Sequence, residues 1–349
     1  MIFARKGGAS AGRLSRRSTF YYARLTRYAL LVLAGLVALD FVPWPAPDMS
    51  VQRDGARSPG ADARTRLKAV RYWGYQLQNV RPKAIAEAID LMVMDYSRDG
   101  SGARALRAKD VARLKRRAEG RPPRLVLAYL SIGEAERYRY YWWRHWAWLR
   151  PSWLGEENED WRGNYPVRYW QKGWQRIIFR SERTALDALL EVVLPWRKPY
   201  LDRIIEAGFD GVYLDRVDAF GEWDEDHDRA DRAMADFVRR LSRYATGRRA
   251  GFLIVPQNGE ELLRFKTYRA AIDGFTKEDL YYGIDGDGEK NPAQEVRKSL
   301  RFLTMARRDG LPVFVVEYLD EEEKEAREDV LRRAARHGFI VQFARRALD

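Results

Sequence analysis

Gly211-Val-Tyr-Leu-Asp-Arg-Val-Asp218 is a short apolar run that stops in carboxylates, and the same grammar recurs along the chain. Leu91-Met-Val-Met94 stops at Asp95-Tyr96, and Leu125-Val-Leu-Ala-Tyr-Leu130 runs into Ser131-Ile-Gly-Glu134-Ala-Glu136. Asp273-Gly-Phe-Thr-Lys277 stops at Glu278-Asp279, and Val313-Phe-Val-Val316 at Glu317-Tyr318. With Tyr72–Gln76, Val167–Trp170, Phe252–Val255 and Phe339–Phe343 these runs make nine strand candidates. Amphipathic stretches such as Ala108–Ala118, Lys198–Ala207, Asp231–Tyr244, Ala293–Arg308 and Glu321–Arg336 separate them. A strand repeatedly followed by a helix requires parallel pairing through crossovers. Eight such units over roughly 280 residues predict an α/β fold of the (β/α)8 barrel type. No glycine-rich phosphate loop follows the first strand, which argues against a dinucleotide-binding sheet. Nine strands are one too many, so either Val167–Trp170 or Phe339–Phe343 is expected to be accessory.

Barrels of this kind place their chemistry at the carboxyl ends of the strands, so the residues that end each run are the informative ones. A carboxylate is costly to desolvate without a partner. Capping of the next helix is the plain alternative for Asp95, Asp215 and Asp218, but five acidic ends on one face exceed what capping explains. The expected substrate contacts are Asp95, Tyr129, Glu134, Asp218, Glu317 and Tyr318, with Tyr75 and the amides Gln76, Gln78, Gln257 and Asn258 beside them. Two carboxylates flanking a glycosidic bond can divide the work into general acid and nucleophile or base, without metal or cofactor.

Composition narrows the chemistry in the same direction. The 349 residues are 46% apolar and 32% charged, enough for a large core, and contain no cysteine and three scattered histidines, His145, His227 and His337. Thiolate chemistry and histidine-built metal centres are therefore not expected. Asp285-Gly-Asp-Gly-Glu289 resembles a calcium loop but has Lys290 where the turn glycine belongs and Val296 where the bidentate acid belongs. The acidic stretch Asp224–Asp228 around His227 reads as a solvated loop. Eight of the 12 tryptophans fall between Trp142 and Trp174, in a long insertion after the third strand whose aromatic part spans 138–161. Flat rings there suit a sugar-facing loop, or a packed one.

The net charge of +13 is concentrated at the start: residues 1–70 carry 12 Lys and Arg against four acids, leaving +5 for the remainder. A nucleic-acid-binding body is not indicated. Seven cations precede the uncharged run Tyr28–Leu39, the order of an export or anchoring signal. An uncleaved anchor is expected, with the positive end cytoplasmic and the large domain outside; secretion after cleavage is the alternative. Ser15-Arg-Arg17 gives a weak twin-arginine hint. The expected organisation is a signal or anchor segment at 1–42, a Pro-rich polar linker at 43–68 and a barrel at 69–349.

Tyr75-Gln-Leu-Gln78, Ala128–Glu136, Gly211–Asp218, Pro256-Gln-Asn-Gly-Glu260 and Phe275-Thr-Lys-Glu-Asp279, taken in order, resemble glycoside hydrolase family 114, the endo-α-1,4-polygalactosaminidase family. The likeness runs from about Trp73 to the end of the sequence. It implies a (β/α)8 barrel that cleaves galactosamine-rich polysaccharide with Asp215 and Glu278 as the catalytic pair and with no cofactor. The aromatic insertion and extra sequence around Arg180–Pro199 depart from the family pattern and bear on which polymer fits. A barrel that only binds polysaccharide, in envelope or exopolysaccharide assembly, is the rival reading. The acidic strand ends would favour a cationic amino-sugar polymer.

Overall fold

A computed structural model describes residues 59–180, 198–223 and 229–348. The basic segment, the run Tyr28–Leu39, most of the linker, the 181–197 part of the insertion and the Asp224–Asp228 stretch lie outside the described residues. Among the described residues no helix is long and apolar enough to cross a membrane.

The fold is α/β with parallel sheets. Strands β1 (Trp73–Tyr75), β2 (Leu91–Met94), β3 (Leu125–Ser131), β6 (Gly211–Asp215) and β7 (Leu253–Pro256) form one sheet in that order. Strands β8 (Phe275–Glu278), β9 (Val313–Glu317) and β10 (Ile340–Phe343) form the second, and all pairings within both are parallel. The sheets meet at both edges. Gln257 bridges Thr276 in parallel, with Asn258 N donating to Thr276 O at 2.9 Å. On the far side the Trp73 indole Nε1 donates to Ile340 O at 3.2 Å.

Eight of the nine expected strands are thus present in the sheets, and of the two candidates for the accessory piece it is Val167–Trp170 that stands outside them. Val167–Trp170 is not a sheet strand; Val167 makes an isolated bridge to Leu154. Its β-branched and aromatic residues fit a strand locally, but it belongs to the insertion, where β4 (Glu134–Glu136) and β5 (Asn164–Pro166) pair antiparallel. The end of the expected linker also differs. Residues Pro59–Lys68 form helix α1, whose Leu67 is fully buried among the inward-facing strand residues.

Alternation along the strands separates two apolar layers, because successive side chains leave a strand on opposite faces. Trp73, Tyr75, Leu91, Val93, Leu125, Leu127, Tyr129, Tyr213, Leu253, Val255, Phe314 and Val316 pack together on the inner face. Met92, Met94, Val126, Ala128, Val212, Leu214, Ile254, Val313 and Val315 face outward into a second cluster shared with the helices. Those helices include α2 (Ala108–Lys115), α3 (Lys172–Ile178), α4 (Tyr200–Glu206), α5 (Ala230–Arg248), the short α6 (Lys266–Arg269), α7 (Ala293–Arg308) and α8 (Lys324–His337). Helix α7 shows why: Val296, Phe302, Leu303 and Ala306 make one buried stripe, Glu295 lies in its first turn, and Arg307 and Arg308 lie in its last. Helix α8 ends at Gly338, whose φ of +67° suits the residue that closes a helix.

The amino ends of three strands are fastened alike. Asp90 accepts from Arg71 N and Tyr72 N at 3.0 and 3.2 Å on one oxygen and pairs with Arg117 on the other. Asp210 accepts from Val126 N at 3.0 Å and pairs with Lys115 at 2.7 Å. Asp273 accepts from Ile254 N at 2.9 Å and pairs with Arg64 at 2.6 Å.

Candidate active site

Strand parity decides which strand-end residues reach the inner face. Asp215 follows Tyr213 by two residues, and Tyr318 follows Val316 by two; Tyr75, Asp95 and Tyr129 continue the inner series of their own strands. Glu278 stands two residues after Thr276, which is fully buried. Glu317 belongs to the outer series with Val313 and Val315.

Asp215 ends β6, in register with Ser131. Its Oδ2 accepts the Tyr129 hydroxyl at 2.5 Å. Burial, and after it the charge of Glu278, push the Asp215 carboxyl up to about 7, against which the Tyr129 hydrogen bond acts. Glu278 ends β8 and is held by neutral donors: Oε2 accepts from the Gln257 and Asn258 amides, the latter at 3.0 Å, and Oε1 accepts the Tyr318 hydroxyl. Asn258 Oδ1 in turn accepts from Glu278 N at 3.1 Å. Burial raises the Glu278 carboxyl as well, opposed first by Tyr318 and increased by neighbouring Asp279. Both acids therefore hold a proton more tightly than a free carboxyl does, and the charge of Glu278 adds to the effect on Asp215.

The backbone is strained next to both. Arg216, immediately after Asp215, has φ +57°, and Asp279, immediately after Glu278, has φ +48°. Left-handed backbone at non-glycine residues is unfavourable and collects where a site needs a particular direction. The turn after β3 is shaped for the same place. A Cβ on Gly133 would lie 2.2 Å from Arg216 O and 2.6 Å from Ala219 Cβ, so only glycine lets that turn approach the one after Asp215.

Several expected contacts have other work. Glu317 is fully buried, and its oxygens accept from Tyr281 N at 2.9 Å and Tyr282 N at 3.2 Å. It shapes the loop after β8 and is out of a substrate's reach, and its burial raises the carboxyl to about 8. Asp95 faces inward but accepts from Ser97 N at 2.8 Å and pairs with Arg139 at 2.7 Å. Arg139 continues to Glu136 at 2.6 Å and lies against the rings of Tyr96, Tyr129, Tyr138 and Tyr200. Glu134 is buried and accepts from Asn158 and Asn164 of the insertion, with Arg216 at 3.3 Å. Three of the expected acids are thus spent inside the protein. Asp215 and Glu278 have no cation among their side-chain hydrogen-bond donors, and Asp218 lies 3.9 Å from Arg216. Gln76 donates to Gln78 O, and Gln78 to Ala347 O.

A cavity of about 620 Å³ is lined by Gln78, Asp95, Tyr138, Trp161, Arg346 and Tyr129 among others; it reaches the pair through Tyr129, the donor to Asp215, and neither Asp215 nor Glu278 is part of its lining. A larger one, about 960 Å³, lies between the loop after β1 and α2, over the outward-facing Met94 and away from the carboxylates. Most of the aromatic insertion is packing. Trp142, Trp146, Trp153 and Trp174 form a chain of ring contacts with centroids 5.0–5.2 Å apart. Tyr138 and Trp161 are the members that line the cavity. Sequence reading passed over Arg139, Glu136, Tyr213, Asp279 and Arg346; Glu136, Tyr213 and Asp279 stand inside the quoted motifs, whereas Arg346 carries no local signal. Among the described residues no group of three or more His, Asp or Glu is placed to hold a metal ion.

Comparison with known proteins extends this geometry. A family model described as glycoside-hydrolase family GH114 matches residues 55–349. An uncharacterised protein of Methanocaldococcus jannaschii is 35% identical over 293 residues, covering 79% of this chain and 77% of its own. One from Thermotoga maritima is 34% identical over 289 residues, covering 79% and 81%. Among solved structures, the glycoside hydrolase domain of PelA from Pseudomonas aeruginosa shares the fold, with TM-score 0.55 at 19% identity over 80% of this chain and 96% of that one. Aspergillus fumigatus Ega3, solved in complex with galactosamine, gives TM-score 0.51 at 18% identity over 80% of this chain and 92% of that one.

Proposed function

The chain belongs to glycoside-hydrolase family GH114, and from that premise we propose that it cleaves a galactosamine-containing polysaccharide internally, with Asp215 and Glu278 as its reacting carboxylates. One observation carries the assignment: these two acids end parallel strands on the inner face, and the charge of Glu278 helps hold the proton on Asp215. A pair that keeps one proton near neutrality supplies both an acid and an ionised group, as glycoside hydrolysis requires. Ega3 in complex with galactosamine supports the sugar. Asp218, with the one ionised carboxylate of the reacting pair, supplies the attraction for a cationic amino sugar. The reading takes the two sheets as one closed (β/α)8 barrel, supported by the Gln257–Thr276 bridge at one edge and the Trp73–Ile340 hydrogen bond at the other.

The test is product release. Full-length protein incubated with partially deacetylated polygalactosamine is expected to yield short oligosaccharides early, with Asp215→Asn and Glu278→Gln proteins holding the polymer uncut. Wild-type protein that holds the polymer but releases nothing would reduce the role to binding. For location we propose export with a retained anchor, on the strength of the cations ahead of Tyr28–Leu39. Recovery in the membrane fraction after a high-salt wash is expected; a soluble, shortened form would overturn it.

A further inference from the structure

After β10 the chain crosses the mouth of the fold. Ala344 N donates to Glu317 O at 3.1 Å. Four residues on, Leu348 O accepts from Leu77 N at 2.8 Å and Gln78 N at 3.0 Å, just beyond β1. Between these fastenings Arg346 reaches to the loop after β8. It grips both Asp279 oxygens, at 3.1 and 3.2 Å, and Asp287 at 2.7 Å. Its guanidinium carbon lies 4.3 Å from the centre of the Tyr318 ring. The loop leaves room for this grip: a Cβ on Gly283, where φ is +106°, would lie 2.5 Å from Asp279 Oδ1 and 3.3 Å from Arg346 Nη2.

Both groups that Arg346 holds touch Glu278. Asp279 is the left-handed residue that follows it, and the Tyr318 hydroxyl donates to Oε1. We propose that Arg346 is a positioning residue for Glu278: gripping Asp279 on one side and lying on Tyr318 on the other, it fixes the direction in which the carboxyl meets the sugar. The inference rests on Glu278 being one of the reacting carboxylates. A planar guanidinium can grip a carboxylate with two nitrogens while covering an aromatic face, which an ammonium cannot do. The strap after β10 is by this account part of the active site, tied to it by charge and ring contact and not by touching substrate.

The titratable groups that act on or feel Glu278 are Tyr75, Tyr213, Asp215 and Tyr318 from other strands and Lys277 and Asp279 on its own element. Of these, Asp279 is the one whose charge Arg346 balances. Removing the guanidinium leaves that negative charge beside Glu278, which makes Glu278 harder to ionise.

The test combines titration with kinetics. In Arg346→Gln protein carrying ¹³C-glutamate, the Glu278 carboxyl signal, assigned by its loss in Glu278→Gln, is expected to titrate about one pH unit higher than in the wild type. On the galactosamine polymer, kcat is expected to fall by about tenfold to a hundredfold, the size of effect a small misplacement produces, with KM little changed. Arg346→Lys is expected to restore the titration and only part of kcat. Unchanged titration and kcat in a folded Arg346→Gln protein overturn the proposal. So does a raised KM at unchanged kcat, which would make Arg346 a wall of the groove. If Arg346→Gln does not fold, Asp279→Asn decides: kcat should fall while the Glu278 midpoint moves down, and unchanged kcat overturns the proposal. A wild type that leaves the polymer uncut while the titrations move as expected sinks the substrate reading and leaves the positioning intact.

Discussion

Three strands are bracketed by acids five residues apart: Asp90 and Asp95 around β2, Asp210 and Asp215 around β6, Asp273 and Glu278 around β8. The two ends use the same functional group in different ways. At the amino ends every carboxylate gives one oxygen to backbone N–H in, or just ahead of, the neighbouring strand and the other to a cation. Its charge is balanced where it stands. At the carboxyl ends Asp215 and Glu278 are held by phenols and amides, which direct the oxygens without neutralising them, and each carries a like charge nearby. Asp95 shows that position does not decide the matter, because Arg139 and Ser97 N give it the surroundings of an amino-end acid. The donors therefore separate the two kinds of acid, and Asp95, claimed by a buried cation and a backbone amide, falls with the structural ones.

Exchange of the two kinds of acid should separate two kinds of loss. Asp215→Asn and Glu278→Gln are each expected to lower turnover by about 10²–10⁴-fold, with the melting temperature near that of the wild type. Joint loss of activity and folding would erase the distinction. Asp210→Ala should do the reverse, lowering stability by about 1.5–3 kcal/mol, the scale of hydrogen bonds to charged groups, with turnover per folded molecule unchanged. Denaturant unfolding beside active-site titration reads both. A turnover defect there would mean that the ends of β6 are not separable.

The pH profile sharpens the comparison further. An acid whose affinity for the proton is raised keeps it until the pH passes that raised value, so turnover should decline as the pH climbs through about 7, where Asp215 gives up its proton. A profile flat from pH 6 to 9 would leave the pair without its shared proton. The smallest effect is expected from Tyr129→Phe. The Tyr129 hydrogen bond favours the ionised Asp215, so its removal should move the alkaline limb upward by about one pH unit. A downward shift would show that the phenol serves the neutral form.

Much of this was legible in the chain. The apolar runs marked all eight sheet strands, and Asp215 and Glu278 lie where their motifs placed them. Which of Val167–Trp170 and Phe339–Phe343 is accessory stays open in the sequence, because the composition of Val167–Trp170 suits a strand while its partner, Leu154, sits within the insertion. Glu317 was misplaced for a reason the sequence does contain: Phe314 and Val316 face inward, so the residue after Val316 faces outward. Asp95 and Glu134 are different. Nothing local announces that Arg139, 44 residues beyond Asp95, will claim it, or that Asn158 and Asn164 will fold back onto Glu134. Partners brought from a distance are set by the tertiary fold, and one sequence read along its length does not display them.

The seam between β1 and β10 has a consequence for how the protein comes into being. Trp73 and Ile340 are 267 residues apart, so on a ribosome the indole contact that joins the two sheets on this side must wait for β10. During that interval β1 offers an open edge, the kind of surface that invites mispairing in slowly closing sheets. Contacts of such long range are slow to form because the loop they close must be ordered before they repay it. The strap that carries Arg346 follows β10, so its contacts with Asp279 and Tyr318 also wait until β10 has emerged. On this ordering the grip of Arg346 on the Glu278 loop forms only after every sheet strand has been made.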